Sequence, residues 1–169
     1  MTIPLVACSG GPERQAARAA AASLEGGRTE EALAAYREGR RQWPAVGVFP
    51  YGEGVSLYVL DRPAEAEAPL REAVRLEPDE PEHHLYLGHV LSQLRRYDEA
   101  VVAYGAATRL APMDARGWKG LGFAHYNGRR YADARTALEK YLAFARAAED
   151  YESVWHLVQT LPSTPAPGS

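Results

Sequence analysis

A proline that recurs every 34 residues limits the folds open to this chain more than any other feature. Pro44, Pro78 and Pro112 keep this spacing without insertion or deletion. Proline cannot continue a helix, and a fixed period of about 20 to 50 residues is typical of repeat architectures. The period divides the middle of the chain into four units, residues 13–46, 47–80, 81–114 and 115–148.

Three positions of the unit have the same kind of residue in every copy. Position 8 is small (Ala20, Gly54, Gly88, Gly122), position 20 is alanine (Ala32, Ala66, Ala100, Ala134), and position 24 is large and apolar (Tyr36, Leu70, Tyr104, Leu138). Small residues let two helices approach closely, and a large residue fills the space beside them. Each unit is therefore predicted to be a helical hairpin, and the fold to be all-α.

Further residues of the last two units match a known pattern. Unit three has Leu87, Gly88 and Tyr104, and unit four has Trp118 and Leu121 at fixed positions. Together with the small positions and the prolines, they resemble the tetratricopeptide repeat family, whose pattern is Trp-x2-Leu-Gly-x2-Tyr, then Ala-x3-Phe, then Pro. The resemblance covers residues 13–148 and implies an α-solenoid of four hairpins.

Unit two departs from the pattern. It has Pro50 and Glu53 at positions 4 and 7 of its first helix, where large apolar residues are expected. We therefore expect this helix to bury less apolar volume than the first helices of units three and four.

A capping helix is predicted after the fourth unit, over residues 149–161. Val154, Trp155, Leu157, Val158 and Leu161 fall on or near one helical face, and a solenoid needs a helix of this kind to cover its exposed end. Because Arg146 replaces the recurrent proline, the preceding helix is expected to run on through Tyr141, Phe144 and the alanines nearby. Residues 162–169 are rich in proline and serine and are expected to be a flexible tail.

The first 12 residues lie outside the repeats. Leu5-Val6-Ala7-Cys8 looks like a bacterial lipobox, in which the cysteine is lipidated, and residues 9–12 look like a flexible tether to the folded domain. A secretory signal also needs a positive region and an apolar stretch, which the seven residues before Cys8 do not supply. Two alternatives stay open: a lipoprotein facing the bacterial periplasm, with a start site further upstream or a trimmed chain, and a cytoplasmic leader with an incidental thiol.

Composition excludes several classes of function. Nineteen Lys and Arg against 22 Asp and Glu give a net charge of −3, so no bulk positive field favours nucleic acid. One cysteine and scattered histidines supply no zinc framework, and no cofactor is expected. No apolar run approaches the length of about 18 residues that a membrane span needs. Since no catalytic arrangement stands out either, the protein is expected to be non-enzymatic.

The resemblance implies that function lies on the concave face of the solenoid. In this family, positions 2, 5, 6, 9, 12 and 13 of the first helices line that face and usually bind a peptide or a partner segment. Here these positions include Tyr51, Val55, Tyr58, Leu85, Tyr86, His89, Gln93, Arg116, Lys119, Phe123, Tyr126 and Asn127. Aromatic rings suit an extended or helical peptide, and the two cations suit an acidic side chain or a terminal carboxylate.

Three functional classes remain open at this stage. The chaperone-binding members of the family have Lys at position 5 and Asn at position 9, whereas Phe123 follows Lys119 here, so an adaptor for chaperone tails is not expected. The first class is an envelope scaffold that assists assembly of a secretion or pilus-type complex. The second is a cytosolic adaptor or regulatory subunit, and the third is a self-associating repeat in which a second subunit covers the aromatic surface.

Overall fold

The computed structural model describes residues 11–163, and all regular structure in that range is helical. The helices are α1 (Pro12–Glu25), α2 (Thr29–Gln42), α3 (Val48–Val59), α4 (Pro63–Leu76), α5 (Pro81–Gln93), α6 (Tyr97–Leu110), α7 (Ala115–Asn127), α8 (Tyr131–Phe144) and α9 (Tyr151–Thr160). They form four successive hairpins followed by α9, which confirms the predicted all-α fold. None of these helices is long and apolar enough to cross a membrane.

The two helices of each hairpin are joined by three residues, and the middle one adopts a left-handed backbone conformation. Its φ angle is 75° at Gly27, 55° at Asp61, 59° at Arg95 and 62° at Arg129. The N–H of the residue after it donates to the carbonyl five residues back, as from Arg28 to Ser23 at 2.8 Å. This arrangement ends the first helix and reverses the chain. In three of the four hairpins the residue in this left-handed conformation is not glycine.

Packing within each hairpin follows the small and large positions of the repeat. A Cβ atom added to Gly54 would lie closer than 3.0 Å to Leu70, and one added to Gly122 equally close to Leu138. Gly88 has the same relation to Tyr104. The residue at position 24 therefore fills the space that the small residue at position 8 leaves.

Hydrogen bonds with the same period join successive hairpins. His84 at position 4 donates from Nε2 to the carbonyl of Pro78, and Trp118 at the equivalent position donates from Nε1 to the carbonyl of Pro112, both at 2.8 Å. The recurrent proline thus ends one helix and also accepts a hydrogen bond from the next hairpin. His84 is accordingly a packing residue.

The first helix of the second hairpin contains a buried carboxylate. Pro50 lies in the first turn of α3, where a missing N–H is tolerated. Glu53 is only 6% exposed, and it accepts hydrogen bonds from Arg37 at 3.0 Å and Arg40 at 2.8 Å, both on α2. An ion pair across the hairpin interface replaces the apolar contact that the repeat pattern expects here.

The end of α8 differs from expectation. The helix ends at Phe144, in the same register as α2, α4 and α6, and does not run on through the following alanines. The N–H of Ala145 donates to the carbonyl of Tyr141, and the chain then turns towards α9. This turn lets Val154 and Val158 of α9 pack against α8, where both are buried. Trp155 is 41% exposed.

Candidate partner-binding surface

The first helices α3, α5 and α7 lie side by side. Helix α3 contacts α5, α5 contacts α7, and each of the three also contacts second helices of the hairpins. Tyr51 and Tyr58 are seven residues apart on α3, so they lie on the same side of that helix. Tyr86 of α5 packs edge-on against both, with ring centroids 5.7 and 5.8 Å away, and His89 lies 5.6 Å from Tyr86. We call these four residues the aromatic row.

The rings of the aromatic row are half-buried, which leaves part of each available to a ligand. Burial raises the pKa of Tyr51 and of Tyr86 above the usual value of 10, so both phenols stay protonated. A neutral Tyr offers an apolar ring and a hydroxyl that can donate or accept a hydrogen bond. The aromatic row is thus suited to apolar side chains on a polar backbone.

A cavity of about 380 Å³ adjoins the aromatic row. It is lined by His89, Ser92, Tyr104, Arg116, Lys119, Gly120, Phe123, Ala124 and Asn127, and we call it the α5–α7 cavity. Five of these residues, His89, Arg116, Lys119, Phe123 and Asn127, are among those predicted to line the concave face. We call the aromatic row and the α5–α7 cavity together the groove. The repeat pattern therefore brings residues of two hairpins together around one opening.

His89 connects the aromatic row to the α5–α7 cavity. Its Nδ1 atom lies 2.7 Å from the hydroxyl of Tyr104, and the Ser92 hydroxyl is 3.5 Å from the same oxygen. Burial, together with the charge of Arg116, lowers the pKa of His89 below 6.5. At pH 7 the ring is consequently neutral, with one nitrogen engaged by Tyr104.

Arg116 is already engaged by carboxylates of the chain. It forms ion pairs with Asp114, at 2.6 Å, and with Glu82 of the preceding hairpin. Hydrogen bonds to Asp114 and to Glu82 raise the pKa of its guanidinium group. Asp114 also caps α7 by accepting from the backbone N–H of Arg116. These contacts therefore fix the position of Arg116, which lines the α5–α7 cavity.

Lys119 is held by the segment that precedes α9. Its Nζ atom lies 2.7 Å from the carboxylate of Asp150, and the hydroxyl of Tyr141 donates to the same carboxylate. These two groups, first Lys119 and then Tyr141, hold the pKa of Asp150 below its usual value. A second cavity of about 450 Å³, the α7–α8 cavity, lies here, and both Arg116 and Lys119 line it. The two cations thus separate the two cavities.

The other predicted residues lie elsewhere. Val55 and Leu85 are 7% and 3% exposed, because α3 and α5 are enclosed by first and second helices on several sides. The expectation that they line an open groove is corrected: their side chains pack between helices. Tyr126 pairs with Tyr131 of α8 at 5.6 Å and does not line the α5–α7 cavity, and Gln93 is exposed at the end of α5.

Six residues of this surface are not among those predicted: Ser92, Tyr104, Gly120, Ala124, Tyr141 and Asp150. Ser92 occupies position 12, which the family pattern already places on the concave face, so a signal for it existed. Tyr104 was expected only as a packing residue, yet it lines the cavity, and its hydroxyl contacts His89 and Ser92, which line it too. The contact between Tyr141 and Asp150 had no signal, because Asp150 lies beyond the last unit of the repeat.

The expected lipidation site and most of the tail lie outside the described part of the chain. Cys8 and the rest of residues 1–10 lie outside the described residues, as do residues 164–169 of the tail. Across residues 11–163, no group of three or more His, Cys, Asp or Glu side chains is placed to hold a metal ion.

Solved structures with the same arrangement of helices come from several proteins. A MamA fragment from Desulfovibrio magneticus RS-1 is 21% identical, with a TM-score of 0.75, over 88% of this chain and 93% of that one. YrrB, described as a TPR protein with an unusual peptide-binding site, is 21% identical, with a TM-score of 0.75, over 88% and 75%. PilF of Pseudomonas aeruginosa is 20% identical, with a TM-score of 0.75, over 85% and 68%. At these identities the likeness is one of fold.

The sequence itself identifies the repeat. The tetratricopeptide repeat model matches residues 16–81, 51–108 and 85–152, whereas no curated protein sequence matches the chain. These three overlapping matches span the four hairpins and extend to the start of α9. The chain therefore belongs to the tetratricopeptide repeat family, and its fold is the predicted α-solenoid of four hairpins with a capping helix.

Proposed function

We propose that this protein is a non-enzymatic scaffold that binds a peptide or partner segment on α3, α5 and α7. The observation that carries the proposal is the continuity between the aromatic row and the α5–α7 cavity, which His89 joins. Rings that pack edge-on are already ordered, so little side-chain entropy is lost when a partner binds. YrrB, which has the same fold, is by its description a peptide-binding protein.

The shape and chemistry of the surface define the segment it would take. The aromatic row accepts apolar side chains along α3 and α5, and the α5–α7 cavity is large enough for one bulky side chain. Phe123 supplies an apolar wall, and Asn127 is exposed at the rim. A segment of alternating apolar and polar residues that ends near Lys119 fits this arrangement best.

Site-specific photo-crosslinking tests the proposal. Phe123 is replaced by p-benzoylphenylalanine, which keeps an aromatic side chain at the cavity wall, and the protein is illuminated in its native cells. The control has the same replacement at Val102, which is 72% exposed on α6, outside the groove. We expect a discrete crosslinked partner from position 123 and none from position 102. Equal crosslinking from both positions, or none from position 123, would exclude the groove.

We propose further that the scaffold works at the bacterial cell envelope, anchored through Cys8, and assists assembly of a secretion or pilus-type complex. The support is the Leu5-Val6-Ala7-Cys8 sequence followed by Ser-Gly-Gly-Pro. Expression from the native gene with an alkyne-labelled fatty acid should label the protein, and Cys8→Ser should abolish the label. An unlabelled protein in the soluble fraction would instead support a cytosolic adaptor with the same groove.

A self-associating repeat remains the third functional class, and it makes a separate prediction. In that case the aromatic row would be covered by a second copy of the chain, so sedimentation would show a concentration-dependent dimer. Replacing Tyr58 by Glu would then dissociate the dimer, because the change places a charge among the rings of the row. A monomer at all concentrations supports a groove that is free for another partner.

A further inference from the structure

Asp150 lies at the start of α9, but its side chain binds residues of other helices. It occupies the N-cap position of α9, where an aspartate normally accepts a hydrogen bond from a backbone N–H of the first turn. No such side-chain bond is present. The carboxylate instead accepts from Lys119, 31 residues earlier on α7, and from the hydroxyl of Tyr141 on α8. The Asp150 carboxylate is therefore directed at Lys119, one of the residues that line the α5–α7 cavity.

Of the two cations Arg116 and Lys119, Lys119 can more easily exchange its carboxylate partner for one of a ligand. Arg116 is held by two carboxylates and Lys119 by one. The ion pair between Lys119 and Asp150 is also accessible, since their side chains are 43% and 35% exposed. Lys119 lines the α5–α7 cavity as well as the α7–α8 cavity. A carboxylate bound in the first cavity therefore lies beside the residue whose ammonium group Asp150 holds from the second.

We propose that Asp150 is a built-in competitor for the groove: it occupies Lys119 in the free protein, and an acidic side chain of the bound segment takes its place. This inference rests on the proposed peptide-binding function and adds a ligand class to it. The displaced carboxylate is then hydrated, since the Asp150 side chain is already 35% exposed. Exchange of one carboxylate for another keeps the charge around Lys119 balanced.

The first test needs no ligand, because the chain has only two lysines, Lys119 and Lys140. Both are acetylated with a limiting amount of N-hydroxysuccinimide acetate, and the two rates are read by mass spectrometry. Asp150→Asn should raise the rate at Lys119 about fivefold, the factor expected for a partly exposed ion pair, and leave exposed Lys140 unchanged. Glu149→Gln, which removes the neighbouring charge, is the matched control. An unchanged rate at Lys119 in Asp150→Asn overturns the proposal.

The second test uses a random heptapeptide library displayed on phage as the probe. Selections are run on the full chain, on Asp150→Asn and on Asp150→Asn combined with Lys119→Met. We expect acidic residues to be enriched among binders of Asp150→Asn, each binding the wild-type chain about fivefold more weakly, and this enrichment to disappear in the double variant.

The outcomes separate this inference from the proposed function. If Asp150→Asn enriches peptides that have no preference for acidic residues, peptide binding in the groove is supported, whereas the competitor role of Asp150 is overturned. Acidic binders that bind Asp150→Asn and the wild-type chain equally would also overturn it. If no protein enriches any peptide, the peptide-binding groove fails, and the competitor role fails with it. Thermal unfolding of each variant confirms that the selections were made on folded protein.

Discussion

The ring of Tyr104 on α6 lies directly against Gly120 on α7, the residue at position 6 of the following hairpin. Tyr36 and Gly52 repeat this relationship between the first and second hairpins. Between the second and third hairpins the residues at these two positions are Leu70 and Tyr86. In each of the three interfaces, therefore, one of the two positions is a tyrosine and the other is a smaller residue.

Replacing Gly120 by alanine should destabilise the protein. The added Cβ would lie closer than 3.0 Å to the ring of Tyr104, which is 2% exposed and is held in place by its hydrogen bond with His89. Overpacking of this kind reduces the free energy of unfolding by about 1 to 3 kcal/mol. Guanidinium unfolding followed by circular dichroism measures the change.

Gly105→Ala on α6 is the matched control. A Cβ there would meet only the end of the Arg109 side chain, at 3.6 Å. Because alanine favours helix over glycine by about 1 kcal/mol, this variant should be as stable as the wild type or more stable. Equal stability of the two variants would contradict the pairing of Tyr104 with Gly120.

The period of 34 residues predicted much of this fold. The second helix of every hairpin begins at position 17, at Thr29, Pro63, Tyr97 and Tyr131, because the same small, large and proline positions recur in each unit. The aromatic row and five residues of the α5–α7 cavity could be predicted in the same way, since residues at equivalent positions of neighbouring helices lie next to each other.

What the period could not predict depends on contacts outside the repeat or on individual neighbours. Asp150 reaches Lys119 from the segment that follows the four units, although the turn at Ala145 repeats those at Trp43, Glu77 and Ala111. Val55 and Leu85 occupy concave positions of the pattern, but the enclosure of α3 and α5 buries them. Position alone does not determine exposure, because neighbouring side chains decide how much of each residue is covered.

Glu53 should contribute strongly to stability although it replaces an apolar residue of the repeat. Its carboxylate is buried between Arg37 and Arg40. Removing one partner of a buried ion pair leaves the other charges uncompensated, and the usual cost is about 3 to 5 kcal/mol. Because both arginines are partly exposed, with side chains 41% and 34% accessible, and Arg40 also pairs with Glu72, we expect Glu53→Ala to cost less than this range, about 2 kcal/mol.

Glu38→Ala provides the comparison for Glu53. Glu38 also pairs with an arginine of α2, Arg41, but both side chains are exposed, and exposed ion pairs contribute little to stability. Its unfolding midpoint in guanidinium should match that of the wild type. If the two alanine variants have the same midpoint, burial of Glu53 does not matter for stability.

Stability should decrease as the pH falls from 7.5 to 5.5, in part through His89. Burial lowers the pKa of this side chain below 6.5 in the folded protein, so the unfolded chain binds the proton more readily. The share of the free energy of unfolding that depends on a neutral His89 is therefore fully present above pH 6.5. It is lost as the pH falls through the pKa of the folded protein. The pKa of His125 is lowered by burial as well and adds to the same trend.

Unfolding free energies of the wild type and His89→Asn at the two pH values isolate the share of His89. The variant loses the hydrogen bond to Tyr104 at every pH, so the informative quantity is the difference between the two pH values. This difference should be smaller in His89→Asn than in the wild type, and smallest when His125→Asn is added. A pH dependence that His89→Asn leaves unchanged would show that the ring takes up its proton equally well in both states.

Arg95→Gly should stabilise the protein, whereas the same change at Arg18 should destabilise it. Arg95 has a φ angle of 59°, a conformation that costs a residue with a side chain about 1 to 2 kcal/mol and glycine almost nothing. Part of this gain is offset, because glycine makes the unfolded chain more flexible. The net increase in the free energy of unfolding should be about 0.5 kcal/mol. Arg18 lies in the middle of α1, where glycine should cost about 1 kcal/mol.

Both variants remove one exposed arginine, so they have the same net charge and differ only in where the glycine lies. Chemical denaturation at one pH and salt concentration is therefore a direct comparison of the two backbone positions. Opposite signs of the two changes are the expected result. If Arg95→Gly is destabilised as much as Arg18→Gly, the left-handed conformation does not strain the arginine. Asp61 and Arg129, at the same repeat position, would then be expected to adopt this conformation without strain as well.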